Sequence, residues 1–487
     1  MPNKIDTNSF PEPSPRDGGA RAPVAGAARQ RTLILVMAVT ANLFGNMNFT
    51  GINVAAPQIE ADLGLSAVGI GWLTLSCMLT MAAASAPAAR LSDILGRRGL
   101  TLFGLYVCAL GFVGSALSPT AGLLMLSRAV TGVGLATYFT TVMTMVTAAY
   151  PKEERGRVLG LTIGSVYISL SLSPVLSGIF LEALGWRFLF VFWAAALIPT
   201  IVLVHLVKKE APVTPDERLD RKAAFYWIPG IALFFAGFSS LTSEWRLPAL
   251  LAMIFGAVFV CLFIRRSWGA ASPLLDLKLF TESRRFTFSS LAAFICYVSS
   301  FSITLLLSLY FQYSQGFSPL KTGFILVAQP LVMALLTPLS GRLSDKHDPG
   351  IIASAGLALM LGGLFIFVFR LELDTPVGVN VFAMCLCGAG FALFSAPNSN
   401  AIMSSVPPLR LGQASGVISA TRLAGQITSI SLSTLVFASV VGPGEITPDR
   451  YPSFINASRI LFSVFIVMSF LAIFSSLARG RRREDAS

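Results

Sequence analysis

The chain has 487 residues, 54% of them hydrophobic and only 12% charged, with a formal net charge of +12. Soluble domains hold about 25% charged residues, so a chain this long with half that share cannot cover its folded surface with polar groups and must meet lipid. Its basic residues form no continuous patch interleaved with aromatics, which argues against a nucleic-acid partner.

Residues 1–28 are rich in Pro, Gly, Ala and charge without apolar periodicity, and read as a disordered cytoplasmic tail rather than a signal peptide. Beyond it come fourteen apolar runs of about the 20 residues that a helix needs to cross the hydrocarbon core. They are placed at 32–55, 67–88, 99–117, 121–149, 158–181, 187–207, 227–243, 247–264, 286–311, 321–340, 351–370, 377–401, 415–440 and 457–478. Spans 7 and 8 are parted only by Glu244, Trp245 and Arg246; without them twelve spans would remain, in the same orientation. All six cysteines fall in apolar runs, as small packing residues, and no metal site or disulfide framework is indicated.

With the N-terminus cytoplasmic, 28 of the 36 basic residues fall in inside segments and 6 outside, with Arg128 and Arg422 within spans. The alternation supports a multi-pass plasma-membrane protein with both termini cytoplasmic, facing an anionic inner leaflet.

Arg90-Leu91-Ser92-Asp93 follows span 2, and Arg342-Leu343-Ser344-Asp345 follows span 10, 252 residues later. That shift carries spans 1–5 closely onto spans 9–13 and brings span 6 to 439–459, ahead of span 14, so that six spans correspond in order to six. The expected domains are a six-helix bundle over 29–210, a linker with two inserted spans over 211–285, a second six-helix bundle over 286–479 and a basic cytoplasmic tail over 480–487. Duplicated six-helix units are a transporter architecture with the substrate site between the halves.

Ala89 to Arg98 resembles the loop signature of the major facilitator superfamily. The fourteen-span drug:proton antiporter branch is suggested by Asn53-Val54-Ala55-Ala56-Pro57, Gly185-Trp186-Arg187, Gly316-Phe317-Ser318-Pro319, and Pro397-Asn398-Ser399-Asn400 followed by Gly412-Gln413-Ala414-Ser415-Gly416. The resemblance implies an all-α membrane fold of two six-helix repeats plus two inserted helices, working by alternating access. It places a cytoplasmic gate at Arg90, Asp93, Gly96, Arg97 and Arg98, with a weaker copy at Gly341, Arg342 and Asp345. It also links Arg128 to proton coupling, with Thr131 where Gln is usual, and marks a kink in span 5 at Pro174 and Gly178.

The residues themselves point to a cavity. An Arg in hydrocarbon costs about 2.5–3.5 kcal/mol on insertion scales unless it faces the bundle interior or water. Ser415, Ser419, Arg422, Gln426, Ser429 and Ser433 step by three and four along span 13, a polar stripe on one helical face. Such a stripe lines a cavity or bonds another helix. Asn42, Asn46 and Asn53 form a similar stripe in span 1, while Asn48 lies about 120° away from it. Tyr138 in span 4 and Asn398 beside the helix-kinking Pro397 in span 12 complete the candidates.

Asn48 stands where the antiporter branch usually has Asp, and no acid is expected deep in any span. Proton coupling would then use Asp93, Glu182, Glu244 or His205 at the membrane edge, or be absent. The expected function is export of amphipathic or drug-like small molecules by a monomer without cofactor or metal. Import or uniport of a neutral or anionic metabolite is the alternative, and a non-transporting receptor with a transporter fold is the rival from another class. Enzymatic chemistry is disfavoured: no span holds a paired carboxylate set or a Ser with a nearby His, and no Gly-rich ATP loop exists.

Overall fold

The computed structural model describes residues 25–208, 219–241, 246–270, 273–407, 410–442, 444 and 446–479. Most of the expected N-terminal tail, Glu244 and the basic tail 480–487 lie outside the described residues. Every described element is helical. Among the described residues fourteen helices are long and apolar enough to cross a membrane: Ala28–Leu63, Ala67–Leu95, Arg97–Ala116, Ala121–Ala149, Gly160–Ala183, Trp186–Leu206, Arg221–Ser239, Arg246–Trp268, Arg284–Ser314, Pro319–Ser344, Pro349–Arg370, Val377–Met403, Ala414–Val440 and Pro448–Ala478. They are spans 1 to 14 below.

Two boundaries correct the sequence reading. The first helix begins at Ala25, inside the expected tail, and runs to Leu63, eight residues past the expected end of span 1. Glu60 is therefore part of a spanning helix, and it is buried.

Proline and glycine explain the local geometry. Span 6 breaks at Leu197, just before Pro199, and span 10 breaks at Val327, just before Pro330, where the pyrrolidine ring removes an N–H and clashes one turn back. Pro174 and Pro397, in contrast, sit inside helices with continuous helical assignment. Span 9 breaks at Phe301 and Ser302 and ends in a π-helical turn, Tyr310–Ser314.

The repeat is visible in packing as well as sequence. A Cβ on Gly104 would lie 2.7 Å from Tyr138 N, and one on Gly111 would lie 2.6 Å from Thr131 N, so spans 3 and 4 touch through bare backbone. Their counterparts 252 residues on, Gly356 and Gly363, would each bring a Cβ to 2.6 Å, from the Gly390 and Ala383 carbonyls of span 12. Small residues let backbones approach where lipid offers no hydrophobic drive between helices.

The halves meet along two seams, spans 2 and 13 on one side and spans 5 and 10 on the other. The inserted spans 7 and 8 form a hairpin laid on the first seam, where Ala86, Ala223, Phe263 and Leu275 make a buried cluster with Ala420 packed against it. The hydrogen bonds that join the halves cluster at one end of the bundle. There Ser308 Oγ donates to the Asn53 carbonyl at 2.8 Å, Gln312 Nε2 donates to the Val54 carbonyl at 3.1 Å, and Ala67 N donates to the Gly444 carbonyl at 3.4 Å. This is the closed end. Glycine tightens it: a Cβ on Gly178 would be 2.6 Å from Leu320 Cα, and one on Gly71 would be 2.0 Å from Thr434 Oγ1.

Candidate functional site

At the opposite end lies the loop between spans 2 and 3. Gly96 adopts φ 94°, a backbone conformation that strains any side chain, and turns the chain sharply from one helix into the next. Arg97 pairs with Asp93 at 3.7 Å. Arg98 crosses to span 6, donating to the carbonyls of Val204 at 3.0 Å and His205 at 2.9 Å, the exposed carbonyl end of a helix where a cation is favoured. Arg90 also has a partner. In the second copy Arg342 is exposed, Ser344 Oγ donates to the Gly341 carbonyl at 2.7 Å, and the side chain of Asp345 lies outside the described residues.

Arg128 and Asn48 are brought together. Both are fully buried, and Arg128 Nη1 donates to Asn48 Oδ1 at 2.6 Å. Arg128 Nε donates to the Leu73 carbonyl at 3.2 Å, and the guanidinium lies 5.9 Å from the Phe190 ring. Arg128 Nη2 has no hydrogen-bond partner among the described residues. An amide oxygen thus stands where a counter-charge would neutralise the guanidinium.

The span 1 stripe does not act as one surface. Asn42 is buried, Asn46 Nδ2 donates to the Asn42 carbonyl at 2.8 Å within the helix, and Asn53 Oδ1 accepts from Thr74 at 3.5 Å near the closed end. Thr131 and Tyr138 are buried inside the first half: Thr131 Oγ1 donates to the Ser127 carbonyl at 3.0 Å, and the Tyr138 hydroxyl lies against Gly45. Asn398 is likewise occupied, its Nδ2 donating to the Ser289 carbonyl at 3.0 Å and its Oδ1 accepting from Arg479 at 3.1 Å.

Span 13 divides in two. Toward the closed end Ser429 bonds Ser302 across the break in span 9, at 2.9 Å between hydroxyls, and Ser433 donates back to the Ser429 carbonyl at 3.0 Å. That portion is helix-to-helix adhesion. Toward the other end the side chains of Ser419, Arg422 and Gln426 make no hydrogen bond or ion pair among the described residues, and Arg422 is exposed. Arg422 sits about 12 Å into the span by helical rise.

Two tyrosines missed in the sequence flank it. Tyr167 of span 5 lies beside the side chains of Thr337 and Ser395 in spans 10 and 12 and within the field of Arg422. Tyr297 of span 9 also meets Ser395 and the field of Arg422, and packs edge-on against Phe391 with centroids 5.5 Å apart. Cation, hydroxyls and aromatic faces from both halves thus converge where the seam is not closed by glycine contacts. A mid-span Tyr among Ser165 and Ser169 was the available signal.

Two carboxylates reach across the closed end. Glu60 Oε1 accepts from Ile446 N at 3.3 Å, and Glu182 Oε1 accepts from Leu320 N at 3.1 Å. The pairing is reciprocal in design, each acid of the first half binding a backbone N–H of the second.

The chain matches the Major Facilitator Superfamily over residues 38–430 and again over 289–486. It is 27% identical to a riboflavin transporter, RibZ, of Clostridioides difficile, covering 88% of this chain and 92% of that one. It is 28% identical to the multidrug resistance protein Stp of Mycobacterium tuberculosis, covering 80% of this chain and 72% of that one. Among solved structures, a bacterial homologue of the human lysosomal transporter Spinster, inward-facing and unoccupied, superposes with a TM-score of 0.69 at 16% identity, over 94% of this chain and 98% of that one. With fourteen membrane-length helices, two packed repeats and this match over most of its length, the chain belongs to the Major Facilitator Superfamily and is a multi-pass membrane transporter, not an enzyme.

Proposed function

We propose that this transporter exports amphipathic small molecules by alternating access, binding them between the halves at Arg422, Tyr167 and Tyr297. The observation that carries this reading is Arg422, a cation in mid-span with no carboxylate or hydrogen-bond partner among the described residues. Such a group is stabilised by water or by a ligand's negative charge, and the tyrosine and Phe391 faces suit a flat apolar body. The site therefore favours neutral and anionic amphipaths over cationic ones. Likeness to a multidrug resistance protein supports export, and likeness to a riboflavin transporter supports a planar substrate.

The bias of basic residues to one side of the spans supports a plasma-membrane protein with both termini cytoplasmic. In that orientation the closed end faces outward and Arg422 is reached from the cytoplasm, as in an inward-facing state. Asn48 cannot titrate. Proton coupling is assigned instead to Glu60 and Glu182, whose bonds to the opposite half make and break as the closed end opens. Arg450, in contact with Gly444 beside Ile446, is the cation of the same loop.

The test is flux in proteoliposomes with an imposed pH gradient, using fluorescein as anionic, riboflavin as neutral and ethidium as cationic probe. Fluorescein or riboflavin is expected to move faster than ethidium. Transport of ethidium alone would overturn the substrate class, and flux indifferent to the gradient would overturn the coupling.

A further inference from the structure

The second half lacks the paired arginines of the first, yet a guanidinium occupies the same joint. The helices of spans 3 and 11 begin at Arg97 and Pro349, 252 residues apart, so the position of Arg98 is taken by Gly350. In the first half Arg98, in the opening turn of span 3, reaches the last carbonyls of span 6. In the second half the direction is reversed. Arg479, the residue after the last turn of span 14, reaches back to the opening turn of span 11, its Nη2 donating to the Gly350 carbonyl at 3.3 Å.

Gly350 makes room for this exchange. A Cβ there would lie 3.2 Å from Arg479 Nε and 2.8 Å from Asp348 Oδ1. Arg479 is only 5% exposed and uses its whole guanidinium: Nη1 donates to Asn398 Oδ1 at 3.1 Å and Ser289 Oγ at 3.3 Å, Nε to the Ser476 carbonyl at 2.8 Å, and Nη2 also to Ser476 Oγ. Burial, together with the like charge of Arg285, lowers its pKa to about 10, against the opposing pull of Asp348. It is still charged at neutral pH. Asn398 closes the network by donating to the Ser289 carbonyl at 3.0 Å. One side chain thereby ties spans 9, 11, 12 and 14.

We propose that Arg479 is the second half's counterpart of Arg98, with donor and acceptor helices exchanged, and that it positions span 12 by holding Asn398. Three residues before Asn398, one helical turn, is Ser395, which meets Tyr167 and Tyr297 at the seam. The tie fixes the turn of span 12 that presents Ser395, so its loss alters how the halves part as well as how firmly the second half is folded. It rests on the repeat and on side-chain geometry, independently of any substrate.

The experiment is a reciprocal swap in the full chain: Arg479→Ala, Gly350→Arg, and both together. Melting midpoints are read in detergent. The separation of the halves is read by electron–electron resonance between spin labels at Leu95→Cys and Leu343→Cys, both exposed helix-end positions. Each single variant is expected to lose roughly 5 °C and to broaden or shift the label distance. The double variant, in which an arginine rises from the Arg98-equivalent position into the vacated space, is expected to recover both readings at least halfway. A double variant no better than the worse single variant would overturn the exchange. Arg479→Ala that lowers the midpoint while leaving the label distances unchanged would overturn the positioning role and leave Arg479 as a fold contact only.

Discussion

Asn48 Oδ1 and Arg128 Nη1 are 2.6 Å apart with no exposure to solvent, so a permanent cation in the first half is held by an amide. Removing that acceptor strands a buried charge. Asn48→Leu is expected to cost about 1.5–3 kcal/mol, the worth of a hydrogen bond to a charged group, read as a lower melting midpoint. Asn48→Asp is expected to keep the melting midpoint that Asn48→Leu loses, because its carboxylate accepts the same Arg128 bond with an opposite charge.

Among the described residues Arg422 makes no hydrogen bond or ion pair whose loss would weaken the fold. Arg422→Gln is expected to keep the melting midpoint within a degree or two while reducing fluorescein flux by roughly tenfold or more, the effect of losing one charge-assisted contact. Riboflavin flux should fall less. Equal loss for both probes with an unchanged midpoint would mean that the residue serves the conformational cycle rather than the ligand's charge.

The closed end offers a direct test of alternating access. A Cβ on Gly71 would lie 3.1 Å from Thr434 Cβ, close enough for a disulfide after a small shift. Gly71→Cys with Thr434→Cys is expected to crosslink under oxidation, to stop flux, and to recover on reduction. Full flux in the crosslinked protein would show that this end need not open.

Glu60→Gln keeps an oxygen for the Ile446 N–H but removes the charge. Proteoliposomes carrying it are expected to exchange probe across the membrane while losing most of the accumulation driven by a pH gradient. Accumulation equal to the parent's would remove Glu60 from the coupling.

The spans were readable because hydrocarbon imposes one length and one composition, and their sidedness because Lys and Arg alternate loop by loop. Helical phase was readable too, but phase alone does not name the neighbour. The span 13 stripe is one face in sequence, yet Ser429 and Ser433 bond within the second half whereas the side chains of Arg422 and Gln426 make no hydrogen bond among the described residues. Asn48 looked displaced from the span 1 stripe because its partner, Arg128, is eighty residues away. Glu60 is not legible as a span residue because the apolar stretch that suffices to cross the bilayer ends near residue 55, whereas the helix runs to Leu63. Its separation from Asn53, seven residues or two turns, was the signal that placed both toward the same end.

The hairpin of spans 7 and 8 breaks the symmetry of the pair of halves. By lying along spans 2 and 13 it covers one side of the bundle and leaves the side of spans 5 and 10 to the lipid. The two seams between the halves therefore meet different surroundings: one is sheathed by protein, while the other, where Gly178 packs on Leu320, is bathed by acyl chains.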